Sequence, residues 1–273
     1  MSQGFVTVNG ARLWYEDTGS GPAVTLVHAG VTDHRQWDEQ VPALAEHYRV
    51  IRFDMRGYGQ SETKPGKASL SEDIGGMLDA LGVERTALMG CSMGGAAAID
   101  FTVTHPERVG ALITVGSGLS GAEHVMTPEE EALFKEAIEA QNAGDAARLN
   151  ELEARVWCDG FARAAPDVKP SVRQRFLEMN TNNNRRFFAG EWEGVEFTPL
   201  DPPAIGRLGT LAIPTLVIVG SGDVSEVRAT ADDIANGIPG ARKVMMEGLG
   251  HVPNMDEPEE FNRIILEFLR SVW

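Results

Sequence analysis

Thr86-Ala87-Leu88-Met89-Gly90-Cys91-Ser92-Met93-Gly94-Gly95-Ala96 compresses a buried strand, a tight turn and a helix start into one short segment. The apolar run enters Gly-x-Ser-x-Gly, and the helical stretch Ala96–Phe101 follows at once. In so tight a turn a side chain at either glycine would collide with neighbouring backbone. The product is a serine on a sharp elbow, its hydroxyl exposed and a helix N-terminus beneath it. A bare match is weak: with 30 glycines among 273 residues it arises by chance about once in seven chains of this composition. The strand before it and the helix after it supply the weight.

Outward from the elbow, apolar runs without alternation mark strands buried on both faces, as in parallel sheets. They lie at Ala23–Val27, Tyr48–Phe53, Thr86–Met89, Ala111–Val115, Thr215–Val219 and Arg242–Met246. Helical patterns at Ser71–Leu81, Gly94–Thr104 and Ser225–Asn236 separate most of them. The final helix sets Phe261, Ile264, Ile265, Phe268, Leu269 and Val272 on one face. Alternation of this kind predicts a mostly parallel sheet covered on both sides. Phe5–Val8 and Arg12–Glu16, joined at Asn9-Gly10, read as an opening hairpin.

Between about Leu119 and Gly206 the sequence shows no convincing strand. Thr127-Pro128-Glu129-Glu130 reads as an N-cap, a first-turn proline and a capping-box glutamate. Helical patterns continue through Ala137–Glu153 and Val172–Met179, and Asn180–Arg186 reads as a polar helix end or loop. A helical insertion of residues 119–206 into a core of residues 1–118 and 207–273 is expected, acting as a lid.

A serine hydroxyl needs a base, and the base needs an orienting partner. Of six histidines, His251 follows the last buried strand in Glu247-Gly248-Leu249-Gly250-His251-Val252-Pro253. Asp223 stands just past the Thr215–Val219 strand, where an aspartate also serves commonly as a helix N-cap. All three candidates fall at the carboxyl ends of successive strands, where such sheets place their sites.

With these residues in hand, the sequence resembles the α/β-hydrolase fold family along essentially the whole chain. Leu26-Val27-His28-Ala29-Gly30 resembles the His-Gly segment after the third strand, with Ala29 at its usual second position and the glycine displaced to Gly30. Asp54-Met55-Arg56-Gly57-Tyr58-Gly59-Gln60-Ser61 matches the family's Asp-x-Arg-Gly-x-Gly-x-Ser turn, and His105-Pro106-Glu107-Arg108-Val109 resembles the end of the helix behind the nucleophile. The resemblance implies Ser92 as nucleophile, His251 as base, Asp223 as its partner, and the amides of Gly30 and Met93 as oxyanion donors. It also implies that His28 packs under the oxyanion loop, that Asp54 and Arg56 brace the turn after the fourth strand, and that Cys91 points into the core.

Composition narrows the partners. Against 24 Lys and Arg stand 40 Asp and Glu, a formal net charge of −16 that repels phosphate backbones and anionic membrane faces. Nucleic acid is therefore not expected as a partner, and no apolar stretch is long enough for a membrane span. Cys91 and Cys158 cannot make a disulfide framework, and no His or Cys pair has metal-ligand spacing, so neither a metal nor another cofactor is expected. The amino terminus lacks a basic-then-apolar segment, so a cytoplasmic location is expected. Nothing decides between a monomer and a homodimer.

The expected activity is hydrolysis of a small carboxylic ester or lactone, the substrate being the one expected partner. Cleavage of a carbon–carbon bond in a vinylogous diketone, a cofactor-free perhydrolase, and a small-molecule receptor on the same fold are the alternatives. Val31, Trp37, Met93 and Val252 flank the expected site, and Trp157, Phe161, Phe187, Phe188 and Trp192 are the bulkiest members of the insertion. Val31, Trp37, Trp157, Phe161, Phe188, Trp192 and Val252 form the expected substrate-binding set. Arg185 and Arg186 read as solvated helix charges, the alternative being a clamp for a substrate carboxylate.

Overall fold

The computed structural model describes residues 1–273. Ten strands form in chain order: β1 Ser2–Val8, β2 Ala11–Gly19, β3 Ala23–Val27, β4 Arg49–Phe53, β5 Gly66–Ala68, β6 Thr86–Cys91, β7 Val109–Val115, β8 Val195–Phe197, β9 Thr215–Gly220 and β10 Arg242–Met246. The α-helices are α1 Val41–Ala45, α2 Leu70–Ala80, α3 Met93–Thr104, α4 Pro128–Asn142, α5 Ala146–Ala154, α6 Pro170–Phe188, α7 Ser225–Gly237, α8 Pro253–Asp256 and α9 Pro258–Val272.

Eight strands make one sheet in the order β1-β2-β4-β3-β6-β7-β9-β10, in which β2 alone runs against its neighbours. The hairpin closes at Asn9-Gly10 with both residues at positive φ, the backbone a two-residue turn requires. β3, β6, β7 and β9 are buried along their whole length, which is why their sequences run apolar without alternation. The hydroxyls of Thr25 and Thr86, polar groups inside that run, bond each other at 2.9 Å between β3 and β6.

The sheet separates two apolar cores. On one face α2, α3 and α7 contribute Ile74, Phe101 and Ile234; on the other α1 and α9 contribute Leu44, Phe261 and Phe268. Each such side chain contributes about 1.5–3 kcal/mol on burial, so both faces need their helices.

Between β7 and β9 the chain forms α4, α5, a π turn at Arg155–Asp159, and α6. The capping box at Thr127–Glu130 is present. Two expectations are corrected here. The helical pattern through Ala137–Glu153 is broken at Ala143–Asp145, where Gly144 takes φ 71° and Asp145 caps α5. A strand does occur in the insertion: β8 pairs in parallel with β5. Both are three residues long, too short for periodicity to register.

Candidate active site

Ser92 sits between β6 and α3 at φ 55° and ψ −120°, a backbone conformation costly for any residue with a Cβ. Gly90 and Gly94 make it attainable. A Cβ on Gly90 would overlap the Gly94 carbonyl, and one on Gly94 would overlap the His28 carbonyl. The elbow is pinned by Ser92 N–H donating to Val115 O at 2.9 Å.

His251, on the loop after β10, and Asp223, on the loop after β9, are each 1% exposed. His251 Nδ1 lies 3.0 and 2.8 Å from the two Asp223 carboxylate oxygens. A carboxylate only accepts, so Nδ1 carries the proton and Nε2 the lone pair. That Nε2 is buried and has no hydrogen-bond partner in the protein. The Asp223 carboxylate also accepts from Val224 N at 2.8 Å, and Val224, not Asp223, caps α7. Gly116, at the end of β7, completes the floor: a Cβ there would stand 3.0 Å from Asp223 Oδ2 and 3.1 Å from His251 Nδ1. No motif in the sequence marked it.

The loop after β3 brings Gly30 beside Met93, since a Gly30 Cβ would meet Met93 Cε at 2.5 Å. Met93 is the first residue of α3, where an N–H has no acceptor within the helix. Neither its amide nor that of Gly30 donates to another group of the protein. His28 holds this loop: its Nε2 accepts from Met55 N at 2.9 Å, so Nδ1 donates to Ala29 O at 2.8 Å. Burial, first of all, lowers the His28 pKa and keeps the ring neutral for this role.

The turn after β4 is braced as expected for Asp54, which accepts from His34 N, His34 Nδ1 and Gln60 N at 2.7–2.8 Å. Arg56 reaches further, with a bidentate pair to Asp73 of α2 at 2.7 and 2.8 Å. Asp33, His34 and Asp54 also place one ligand atom each within 4.8 Å of the others. Their acceptors are already engaged, Asp33 by Arg35 and Asp54 by His34 and Gln60, so the protein itself satisfies the cluster. Cys91 is fully buried in the apolar core, and burial pushes its thiol up to about 12.

The expected substrate-binding residues divide. The Trp157 ring lies 4.5 Å from the His251 ring. Phe161 N donates to Gly222 O at 2.7 Å, beside Asp223. Trp192 lines a cavity of about 270 Å³ whose wall includes Gly30, Tyr58, Leu149, Glu153 and Phe187. Val31 is half-buried beside the cluster of Val252 and the insertion helices. Two expectations are corrected by burial: Trp37 is sealed against Phe261 at 6.4 Å, and Val252 is sealed among Phe176 and Met255. A third is corrected by position, because Phe187 reaches the cavity while Phe188 packs edge-on against it, 37% exposed. Arg186 is not a solvated charge: it donates to Gly59 O, Ser61 O and Glu191. The asparagine run lies in the last turns of α6, where Asn183 bonds Thr32 O and Gly59 N.

The insertion is tied to the site at its base. Glu130, from the capping box of α4, accepts from Ser225 N at 2.6 Å and from the Ser225 hydroxyl, directly after the Asp223 loop.

The fold agrees with what comparison finds. A family model described as "alpha/beta hydrolase fold" matches residues 22–258, and the chain belongs to that family. It is 31% identical to the 2-hydroxy-6-oxononadienedioate/2-hydroxy-6-oxononatrienedioate hydrolase of Burkholderia vietnamiensis, over 95% of this chain and 91% of that protein. Among solved structures, the enol-lactonase of Burkholderia xenovorans superposes with a TM-score of 0.79 at 25% identity, covering 98% of this chain and 100% of that one. A malate-bound thermophilic esterase of Thermogutta terrifontis gives 0.78 at 27%, covering 100% and 99%. These relatives are hydrolases, and hydrolysis is the class of reaction that membership supports. No helix is long and apolar enough to cross a membrane.

Proposed function

We propose that the protein is a serine hydrolase that cleaves a small carboxylic ester or lactone through an acyl-enzyme on Ser92. The observation that carries this is the His251 imidazole, its Nδ1 held by Asp223 and its Nε2 left buried without a partner. A ring fixed in that tautomer is a base waiting for a proton.

In the proposed reaction Ser92 Oγ attacks the carbonyl carbon while His251 Nε2 takes its proton. The carbonyl oxygen becomes an anion between the amides of Gly30 and Met93, each donor contributing about 3–4 kcal/mol to the transition state. His251 then protonates the departing alkoxide, and water clears the acyl group by the same route in reverse. Residues 119–206 serve as the lid, with Trp157 over His251 excluding water from the imidazole. The protein acts without a metal or other cofactor.

A second reading is cleavage of a carbon–carbon bond in a vinylogous diketone, favoured by the 31% identity to a hydrolase of that kind. Mass spectrometry after a fluorophosphonate probe tests the nucleophile. A single adduct on Ser92, lost in Ser92→Ala and His251→Ala, is the expected result. A folded protein that takes no adduct would sink the reading and bring the receptor alternative forward. Turnover of an aryl ester against a 2-hydroxy-6-oxodienoate then separates the two hydrolytic readings.

A further inference from the structure

We infer that the cavity beside Gly30 is a subsite in which Glu153 accepts a hydrogen bond from a donor group, hydroxyl or ammonium, at the far end of the substrate. The inference rests on the reading of Ser92 as nucleophile, because Gly30 is the residue that joins the cavity to that site. It makes Glu153 a specificity-determining residue: donor-ended substrates are selected and carboxylate-ended ones rejected.

The Glu153 carboxylate is held from one side only. Its Oε2 accepts from Asn180 Nδ2 at 2.8 Å and from Asn184 Nδ2 at 2.6 Å, and Asn184 also donates to Asn150 Oδ1 at 2.8 Å. These amides fix the orientation of the group. Oε1 receives no hydrogen bond from the protein, and no Lys, Arg or His forms an ion pair with either oxygen. Glu153 as a residue is half-buried, and Oε1, engaged by no protein donor, is free to accept from a group that enters the cavity.

The formal charges around the cavity favour a cation over an anion, although the unpartnered Trp192 Nε1–H in its wall is a donor. None of the nine residues lining the cavity is Lys, Arg or His. On α6, Arg186 spends its donors on Gly59 O, Ser61 O and Glu191, and Arg185 is exposed with Asn182 as its partner. The Tyr58 hydroxyl makes no hydrogen bond within the protein and stands 3.5 Å from where a Gly30 Cβ would be. It offers a further polar contact along the path from Gly30 to Glu153. The net charge of −16 adds a field of the same sign. Burial raises the Glu153 carboxyl above its ordinary value against the pull of its two asparagines, and a bound ammonium would favour the ionised form.

The test is a series of aryl esters of short straight-chain acids ending in methyl, hydroxyl, ammonium or carboxylate, with a matching series on the alcohol arm. In the wild type, kcat/KM for the hydroxyl- or ammonium-ended ester should exceed that of the carboxylate-ended ester by about tenfold or more. Glu153→Gln keeps the size of the side chain and an acceptor for Asn180 and Asn184, and should narrow that ratio by about tenfold. Tyr58→Phe, a change at the other end of the path, should narrow it less. A carboxylate-ended ester that is hydrolysed as well as the others, or a ratio that Glu153→Gln leaves alone, overturns the subsite. Calorimetric binding of saturated ketones with the same end groups reads the subsite without chemistry. Tighter binding of the ammonium-ended ketone by wild type than by Glu153→Gln, with no ester turned over, would keep the subsite and remove the Ser92 reading. Equal affinities in the two proteins would remove the subsite whatever the turnover.

Discussion

In the proposed reaction His251 acts as a base because of what touches its other nitrogen. Asp223 accepts from Nδ1, and the lone pair is thereby left on Nε2. Asp223→Asn removes that constraint, since an amide can offer Nδ1 either a donor or an acceptor. Ester turnover should fall by roughly four orders of magnitude at neutral pH with folding intact, read as kcat beside an unchanged circular dichroism spectrum. Gly116 matters for a different reason. At φ 47° a side chain costs about 1–2 kcal/mol, and a Cβ would press on both His251 and Asp223. Gly116→Ala should therefore lower kcat far more than it lowers the midpoint of thermal unfolding, and a variant with wild-type kcat would contradict the placement. Neither Gly116 nor Glu153 was legible in the sequence, because neither belongs to a local pattern. Ser92, by contrast, is announced by its own neighbours, whose glycines exist to let the backbone turn.

At the scale of elements, two ties decide how the parts around the site hold together. Arg56 and Asp73, both nearly fully buried, clamp the turn after β4 to α2. Arg56→Met would leave the Asp73 charge unpaired, and chemical denaturation should report a loss of about 3–5 kcal/mol. The second tie is Glu130, which binds the start of α4 to Ser225. Its burial opposes ionisation, but the bonds from Ser225 and Thr127 outweigh that and hold its pKa below the ordinary glutamate value. A folded value below the unfolded one gives stability that is fully present above the unfolded pKa and lost as pH falls through the folded one. Glu130→Gln should accordingly cost about 1–2 kcal/mol at neutral pH, a deficit that shrinks as pH falls below the ordinary glutamate value. Thermal melts across that range check it, and a deficit that persists in acid would show that the tie is not ionic. The capping box itself was readable as Thr127-Pro128-Glu129-Glu130, since a cap is a local event. Its second partner, Ser225, lies 95 positions away and was not.

Across the whole molecule, the cavity gathers Gly30, Tyr58, Glu153 and Trp192 from segments far apart in the chain. The net charge of −16 gives the whole molecule a negative field that salt screens, the Debye length falling from roughly 30 Å at 0.01 M to about 10 Å at 0.1 M. For a cationic ester KM should rise several-fold over that range, while a neutral ester is unaffected; identical salt profiles for the two would remove the field from the account. The sheet was legible almost strand by strand, from Ala23–Val27 to Arg242–Met246, because burial on both faces forces an uninterrupted apolar run. The three-residue strands β5 and β8 escaped, being too short to show a period, and the break at Gly144 was hidden inside an otherwise helical pattern. Trp37 packs beneath the site against Phe261, and an aromatic residue near a site and one packed beneath it look alike in one dimension. What the sequence determined by itself is the set of local necessities: strands, caps, the elbow at Ser92 and the loops that carry Asp223 and His251. Only the tertiary structure decided which distant side chains meet. Whether Arg186 is free or spent, and whether Glu153 faces a cation or none, depends on distances between segments that sequence spacing does not encode.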